Sequence, residues 1–142
     1  MSAVEIAPLL ASDLADIELQ ASQAHMRAFM GADFGLAIQN TETCATALHN
    51  GAPVACAGIC DIEGRRYAWA FLGAYARPVM LAATRVCRDM VARETSDVFT
   101  HVDTRHAANV RWIKLLGFKP TGTIDRMPDG TDCELWVKRH VD

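Results

Sequence analysis

Two periods run through the apolar positions of the chain, one near four and one of two, and they divide it into helices and strands. Val4 to Ala7 is a short strand-like run closed by Pro8. Ser12 then stands as an N-cap before Asp13 and Asp16, acidic residues that suit a helix N-terminus. A helix is predicted from Asp13 to Met30, its buried stripe Leu14, Ile17, Ala21, Ala24 or His25, and Ala28. Gly31 and Gly35 break it, and an irregular helical turn follows between Phe34 and Thr43.

From Ala45 the pattern changes. Ala45 to His49 runs into the turn pair Asn50-Gly51, then Pro53 and the apolar run Val54 to Ile59, which together read as a hairpin. Beyond a turn at Gly64, Tyr67, Trp69 and Phe71 alternate with Ala68, Ala70 and Leu72, so the aromatics share one sheet face. Pro78 suits the first position of a helix whose stripe is Val79, Ala83, Val86 and Met90, ending near Glu94. Val98 to Val102 is a short strand, and the strand, helix, strand order implies a right-handed crossover with parallel pairing. A last helix from about Ala107 to Leu116 buries Val110, Ile113 and Leu116 or Leu115, and Gly117 supplies its left-handed stop. Strands Phe118 to Arg126 and Cys133 to Lys138 close the chain as a hairpin around Met127-Pro128-Asp129-Gly130.

Composition narrows the class. The 142 residues are 51% hydrophobic and 22% charged, which excludes disorder and fits one globular domain spanning 1–142. Net charge is −3, which argues against broad binding to a nucleic-acid backbone. Arg77, Arg85, Arg88 and Arg93 could form a local basic patch, although such charges are more often a solvated helix face. Cys44, Cys56, Cys60, Cys87 and Cys133 are odd in number and scattered, with no metal-ligand spacing, which reads as a reducing compartment. The first ten residues hold no stretch apolar and long enough for a secretion signal or a membrane span, so the expectation is a cytoplasmic protein with no metal.

The element order, with Asp103 to Phe118 (DTRHAANVRWIKLLGF) in it, resembles the GNAT superfamily of acetyl-CoA-dependent N-acyltransferases. Trp112 followed by Leu115-Leu116-Gly117-Phe118, Asn50-Gly51-Ala52-Pro53-Val54, and Tyr67-Ala68-Trp69 resemble a small GNAT-like group of tailed phages and prophages. The resemblance implies an α/β fold with a mixed, mostly antiparallel sheet, a parallel central pair and about four helices. It implies acetyl-CoA between the fourth and fifth strands as co-substrate and an amine as acceptor. The backbone at Phe71 and Leu72 would pair with the pantetheine arm. The N–H groups from Gly73 to Met80, including those of Ala74 and Val79, would hold phosphate with charge from Arg77, and His106 or Asn109 would line the thiol side.

Two departures from the family pattern stand out. The phosphate loop reads Leu72-Gly73-Ala74-Tyr75-Ala76-Arg77-Pro78, with one glycine and a proline that removes an N–H donor. In the last helix His106 occupies the place of the family's CoA-facing Asn, and Ile113 that of a Tyr that protonates the departing thiolate, which isoleucine cannot do.

Direct acyl transfer needs proximity, a route for the amine proton and donors for the developing oxyanion. Asp103 and His106, just past the fifth strand, form the best-placed titratable pair, against the plainer reading of Asp103 as a helix cap. His101 shares a strand face with Phe99 and Asp103 and could point at the cleft, though such a residue is more often packed in a core. His25 and His49 have no partner visible in sequence, and Trp69, Trp112 and Trp136 read most simply as core. Cys56 and Cys60 flank Gly58 on one strand face as small buried hydrophobes, giving covalent catalysis little support. The alternative is a catalytically silent GNAT-shaped binding or structural protein of phage origin. A homodimer, or a phage or host protein, is the further partner the sequence leaves open, with no membrane or nucleic acid.

Overall fold

The structure, a computed structural model, describes residues 4–20, 23, 43–128 and 130–140. Strands β1 (Val4–Ala7), β2 (Thr43–His49), β3 (Ala52–Ile62), β4 (Arg65–Leu72), β5 (Val98–Val102), β6 (Lys119–Arg126) and β7 (Asp132–Lys138) form one sheet in the order β1-β2-β3-β4-β5-β7-β6. Helices α1 (Ala11–Asp16), α2 (Met80–Ala92) and α3 (Ala107–Leu115) pack on it, and a 3₁₀ turn at Arg77–Val79 leads into α2. Every pairing is antiparallel except β4 with β5. The fold is therefore the mixed, mostly antiparallel α/β sheet with one parallel pair that the sequence leads one to expect, with three α-helices among the described residues.

Local signals account for most of this. Asn50 and Gly51 both take positive φ, 52° and 84°, as the tight primed turn between β2 and β3 requires. Gly117 takes φ 97° at the end of α3, where a β-carbon would be strained. Along β4 and β5 the period of two separates the sheet faces. Val98 and Val102 join Ile59 and Trp136 under Met90 and Val91 of α2 and Leu116 and Phe118 beyond α3. On the opposite face Phe71 and Cys56 pack against Leu9, Leu14 and Ile17 around α1. No helix among the described residues is long and apolar enough to cross a membrane.

The first helix departs from expectation. It begins after Leu10 rather than Ser12: Asp13 accepts the Leu10 N–H at 2.8 Å and the buried Thr46 hydroxyl at 2.8 Å, tying the helix start to β2. It ends at Asp16, and Ile17 is already extended at φ −67°, ψ 130°. The reason is tertiary. Glu18 O accepts the Ala74 N–H at 2.6 Å and Gln20 N–H donates to Leu72 O at 2.9 Å, so a short antiparallel bridge, Leu19 to Gly73, supplies the partners that further helical turns would have supplied. Residues 21–22 and 24–30 of the expected helix, His25 among them, and the expected turn before Thr43 lie outside the described residues.

Candidate functional site

The two central strands touch only briefly. β4 and β5 pair at Arg66 with Val98 and at Tyr67 with Phe99, and the Thr100 hydroxyl then donates to Ala68 O at 3.0 Å. Beyond that point the strands part. The gap opens into a cavity of about 750 Å³ that reaches both sheet faces. Tyr67, Ala68, Trp69, Ala70, Phe71 and Leu72 wall it on one side, and Thr100, His101, Val102 and Asp103 on the other. Cys87, Met90 and Val91 of α2 and Asn109, Trp112 and Ile113 of α3 line its floor.

Strand alternation decides which backbone groups face the gap. Ala68, Ala70 and Leu72 turn theirs into it, and Phe71 turns its own toward β3, where it is in register with Cys56. Part of that edge already has partners. The Gln23 side chain donates from Nε2 to Ala70 O at 2.9 Å and accepts the Leu72 N–H on Oε1 at 2.7 Å, as one amide of an added strand would. Nothing in the sequence pattern marked Gln23, because a polar residue forecast on a helix face reads as solvated.

The turn after β4 is more self-contained than a phosphate cradle. Gly73 N–H donates to Val54 O at 2.7 Å, Ala74 N–H to Glu18 O, Ala76 N–H to Gly73 O and Val79 N–H to Ala76 O. Met80 N–H donates to Arg77 O. Pro78 has no N–H. Among the described residues the amides of Tyr75 and Arg77 have no backbone partner in this turn, and the Arg77 side chain is exposed beside them. A β-carbon at Gly73 would stand 2.7 Å from Val54 O, so only glycine lets β4 end this close to β3.

Asp103 lines the cavity at the far end of β5. It does not cap α3, whose N-cap is His106 without a side-chain bond. Its carboxylate instead accepts two hydrogen bonds from the Arg105 guanidinium, at 2.9 and 2.7 Å, and one from the Arg105 N–H, at 3.2 Å. The Arg105 hydrogen bonds hold its pKa below the usual carboxylate range against the opposing effect of burial. His106 Nε2 stands 3.6 Å from Asp103 Oδ2, an ion-pair distance rather than a hydrogen bond, and its side chain is 38% exposed. Asn109 lines the cavity and His106 does not.

A second His–Asp contact lies closer to where the strands part. His101 Nε2 is 2.9 Å from Asp125 Oδ2, and the imidazole stacks on Tyr67 with centroids 5.6 Å apart and planes 9° off parallel. Asp125 belongs to β6, and β7 lies between it and β5. Sequence reasoning placed His101 on the right face but had no signal for a partner two strands away.

Cys56 and Cys87 are inert by position. Burial pushes the thiols of Cys56 and Cys87 up to about 11, for Cys56 against a lowering hydrogen bond from Thr46. At pH 8 a thiol with that pKa is about one part in a thousand thiolate. Cys56 and Cys87 are therefore expected to resist a disulfide-exchange reagent at pH 8 until the protein is denatured; fast labelling of either would contradict the burial of its strand or helix face. Among the tryptophans, Trp136 is core, Trp112 donates from Nε1 to Thr84 Oγ1 at 2.9 Å, and Trp69 lies tilted on Phe71 at 5.7 Å in the cavity wall. Arg77, Arg85, Arg88 and Arg93 are all exposed.

Comparison of the backbone decides the architecture. A GNAT superfamily phosphinothricin acetyltransferase from Sinorhizobium meliloti, solved in complex with acetyl-CoA, superposes with a TM-score of 0.68 over 96% of this chain and 88% of its own, at 16% identity. The chain has the GNAT fold. An N-acetyltransferase from Staphylococcus aureus Mu50 shares that fold at a TM-score of 0.71, with 15% identity over 96% of this chain and 98% of its own. YncA of Salmonella typhimurium, solved with its cofactor acetyl-CoA, gives 0.70 and 15% over 99% and 95%. No family model matches the sequence, and no curated protein does. The likeness to GNAT structures thus lives in the backbone.

Proposed function

We propose that this chain is an acetyl-CoA-dependent N-acyltransferase that passes the acyl group directly to an amine. The observation that carries the reading is the cavity of about 750 Å³ formed where β4 leaves β5, with the backbone of Ala68, Ala70 and Leu72 along its edge. A pantetheine arm is a chain of amides and methylenes, and such a slot offers it both strand-type hydrogen bonds and apolar walls. Leu72 and Ala70 would serve the arm, and Phe71 would wall it with its side chain. The amides of Tyr75 and Arg77 and the Arg77 guanidinium are the donors for the phosphates, with Gly73, Ala74, Val79 and Met80 shaping the turn that aims them. Asn109 would border the thiol side.

Asp103 and His106 would stand at the open end of the slot and pass to water the extra proton of an acceptor that arrives as an ammonium ion, leaving the neutral amine that attacks. Replacing both with alanine is expected to slow thiol release at least about tenfold, or about 1.4 kcal/mol of barrier. An unchanged rate would remove the pair from the reaction.

A second reading, a GNAT-shaped protein of phage or prophage origin that binds or scaffolds without turnover, is favoured by Gln20 and Gln23, whose bonds to β4 cover part of the edge the arm would use. Calorimetric titration with acetyl-CoA and with free CoA separates the two. Micromolar binding, about −8 kcal/mol, supports the acyltransferase and opens a search through an amine panel. No heat, together with an unchanged melting temperature at millimolar ligand, overturns it in favour of the silent protein.

A further inference from the structure

We propose that His101, held by Asp125, is the base that takes the proton from the acceptor amine, an assignment that rests on the acyltransferase reading above. The imidazole is fixed twice, through Nε2 at 2.9 Å from Asp125 Oδ2 and through its stack on Tyr67. A carboxylate only accepts hydrogen bonds, so in the neutral ring Nε2 carries the proton and Nδ1 keeps its lone pair. No described residue takes Nδ1. A base nitrogen left open, with its other nitrogen oriented by a carboxylate, is the arrangement that nucleophile-activating histidines share across unrelated folds.

Position adds to geometry. β4 and β5 last pair at Tyr67 and Phe99, and His101 is two residues further on, in the cavity wall where the gap begins. An arm entering along Ala70 and Ala68 would bring its reactive end to that closed end of the slot. The titratable and charged groups whose strand positions share the sheet face with His101 include Tyr67 and Arg65 of β4, Cys44 of β2, Cys60 of β3, Asp103 beyond β5, Cys133 of β7, and Lys119 and Asp125 of β6. Arg65 lies over the Phe99 ring at 4.4 Å, and Arg105 holds Asp103. Asp125 is the carboxylate bonded to the ring.

In the reaction the amine nitrogen bonds to the thioester carbonyl carbon, the C–S bond breaks and its electron pair leaves on sulfur. The proton lost from nitrogen passes to Nδ1 and from there to the thiolate, so amine and thioester become amide and thiol with nothing else consumed. Asp125 stabilises the imidazolium while it holds that proton.

The test compares wild type with His101→Gln and Asp125→Asn. Thiol release from acetyl-CoA is followed from pH 5 to 8, where imidazole changes charge, with an amine panel and with water alone as acceptor. Binding of acetyl-CoA and the ring-nitrogen chemical shifts of His101 are measured alongside. His101→Gln is expected to lower kcat/KM by about a hundredfold and to abolish the acid limb of the pH profile while the acetyl-CoA Kd stays within about twofold. Asp125→Asn, at a half-exposed position, is expected to lose about tenfold, and it carries the test if His101→Gln does not fold. A His101→Gln rate within about threefold of wild type at every pH overturns the assignment. Where wild type binds acetyl-CoA but releases thiol to no acceptor, the ring nitrogens decide: signals that move on adding acetyl-CoA support His101 at the reacting end, and unmoved signals overturn it. Wild type that binds neither acetyl-CoA nor CoA overturns the acyltransferase reading, and this assignment with it.

Discussion

Gly58→Ala is expected to destabilise the fold by about 3 kcal/mol, more than most single substitutions do. The cause is close approach rather than backbone strain. A β-carbon there would stand 2.6 Å from Thr43 O, 2.6 Å from Trp69 Cζ2 and 2.9 Å from Cys44 Cβ. Gly58 is the register partner of Trp69 across β3 and β4 and of Cys44 across β2 and β3. Two of the three neighbours, a backbone carbonyl and an indole ring in the cavity wall, cannot swing aside as a flexible side-chain end would. For a chain of this length the loss corresponds to a Tm about 10 °C lower. A variant within about 2 °C of wild type would show that Trp69 does not lie across Gly58.

The second large effect concerns ligand. Acetyl-CoA at about a hundred times its Kd is expected to stabilise the wild type by about 2.7 kcal/mol. For this size of chain that is a rise in Tm of about 8 °C. Ala70→Phe should abolish the rise. Ala70 is half-buried, lines the gap and turns its backbone into it, so a phenyl group at that point fills the slot from within. Since the ring enters existing space rather than a packed core, the unliganded Tm should change by only a few degrees, about 1 kcal/mol. A variant that kept the full ligand-induced rise would place the thioester somewhere other than between β4 and β5.

Where local chemistry determines structure, the sequence was readable. The Asn50-Gly51 turn, the aromatic alternation of β4, the bounds of β5 and the stop at Gly117 each follow from a few adjacent residues. The end of α1 was not readable, because it depends on the Ala74 N–H and the Leu72 carbonyl, more than fifty residues away. Asp103 was expected at the site and does line the cavity, but its neighbour Arg105 holds it more closely than His106 does. In the turn after β4 the sequence shows one glycine and one proline. The pattern could not show that four further amides after Gly73 N–H were already bonded within the chain. The pairing of His101 with Asp125 required knowing that β7 enters the sheet between β5 and β6.

The carboxamide of Gln23 has a thermodynamic consequence for whatever enters the slot. An N–H donates to one good acceptor at a time, so any arm that takes the Leu72 N–H evicts Gln23 Oε1 from it. The exchange swaps one amide for another, and the number of hydrogen bonds on the β4 edge is the same before and after. Such an even exchange contributes little net free energy. Affinity at this edge would then be set by the methylene and thioester surface buried against Trp69, Phe71, Met90 and Ile113, and its signature would be a negative heat-capacity change rather than a large favourable enthalpy.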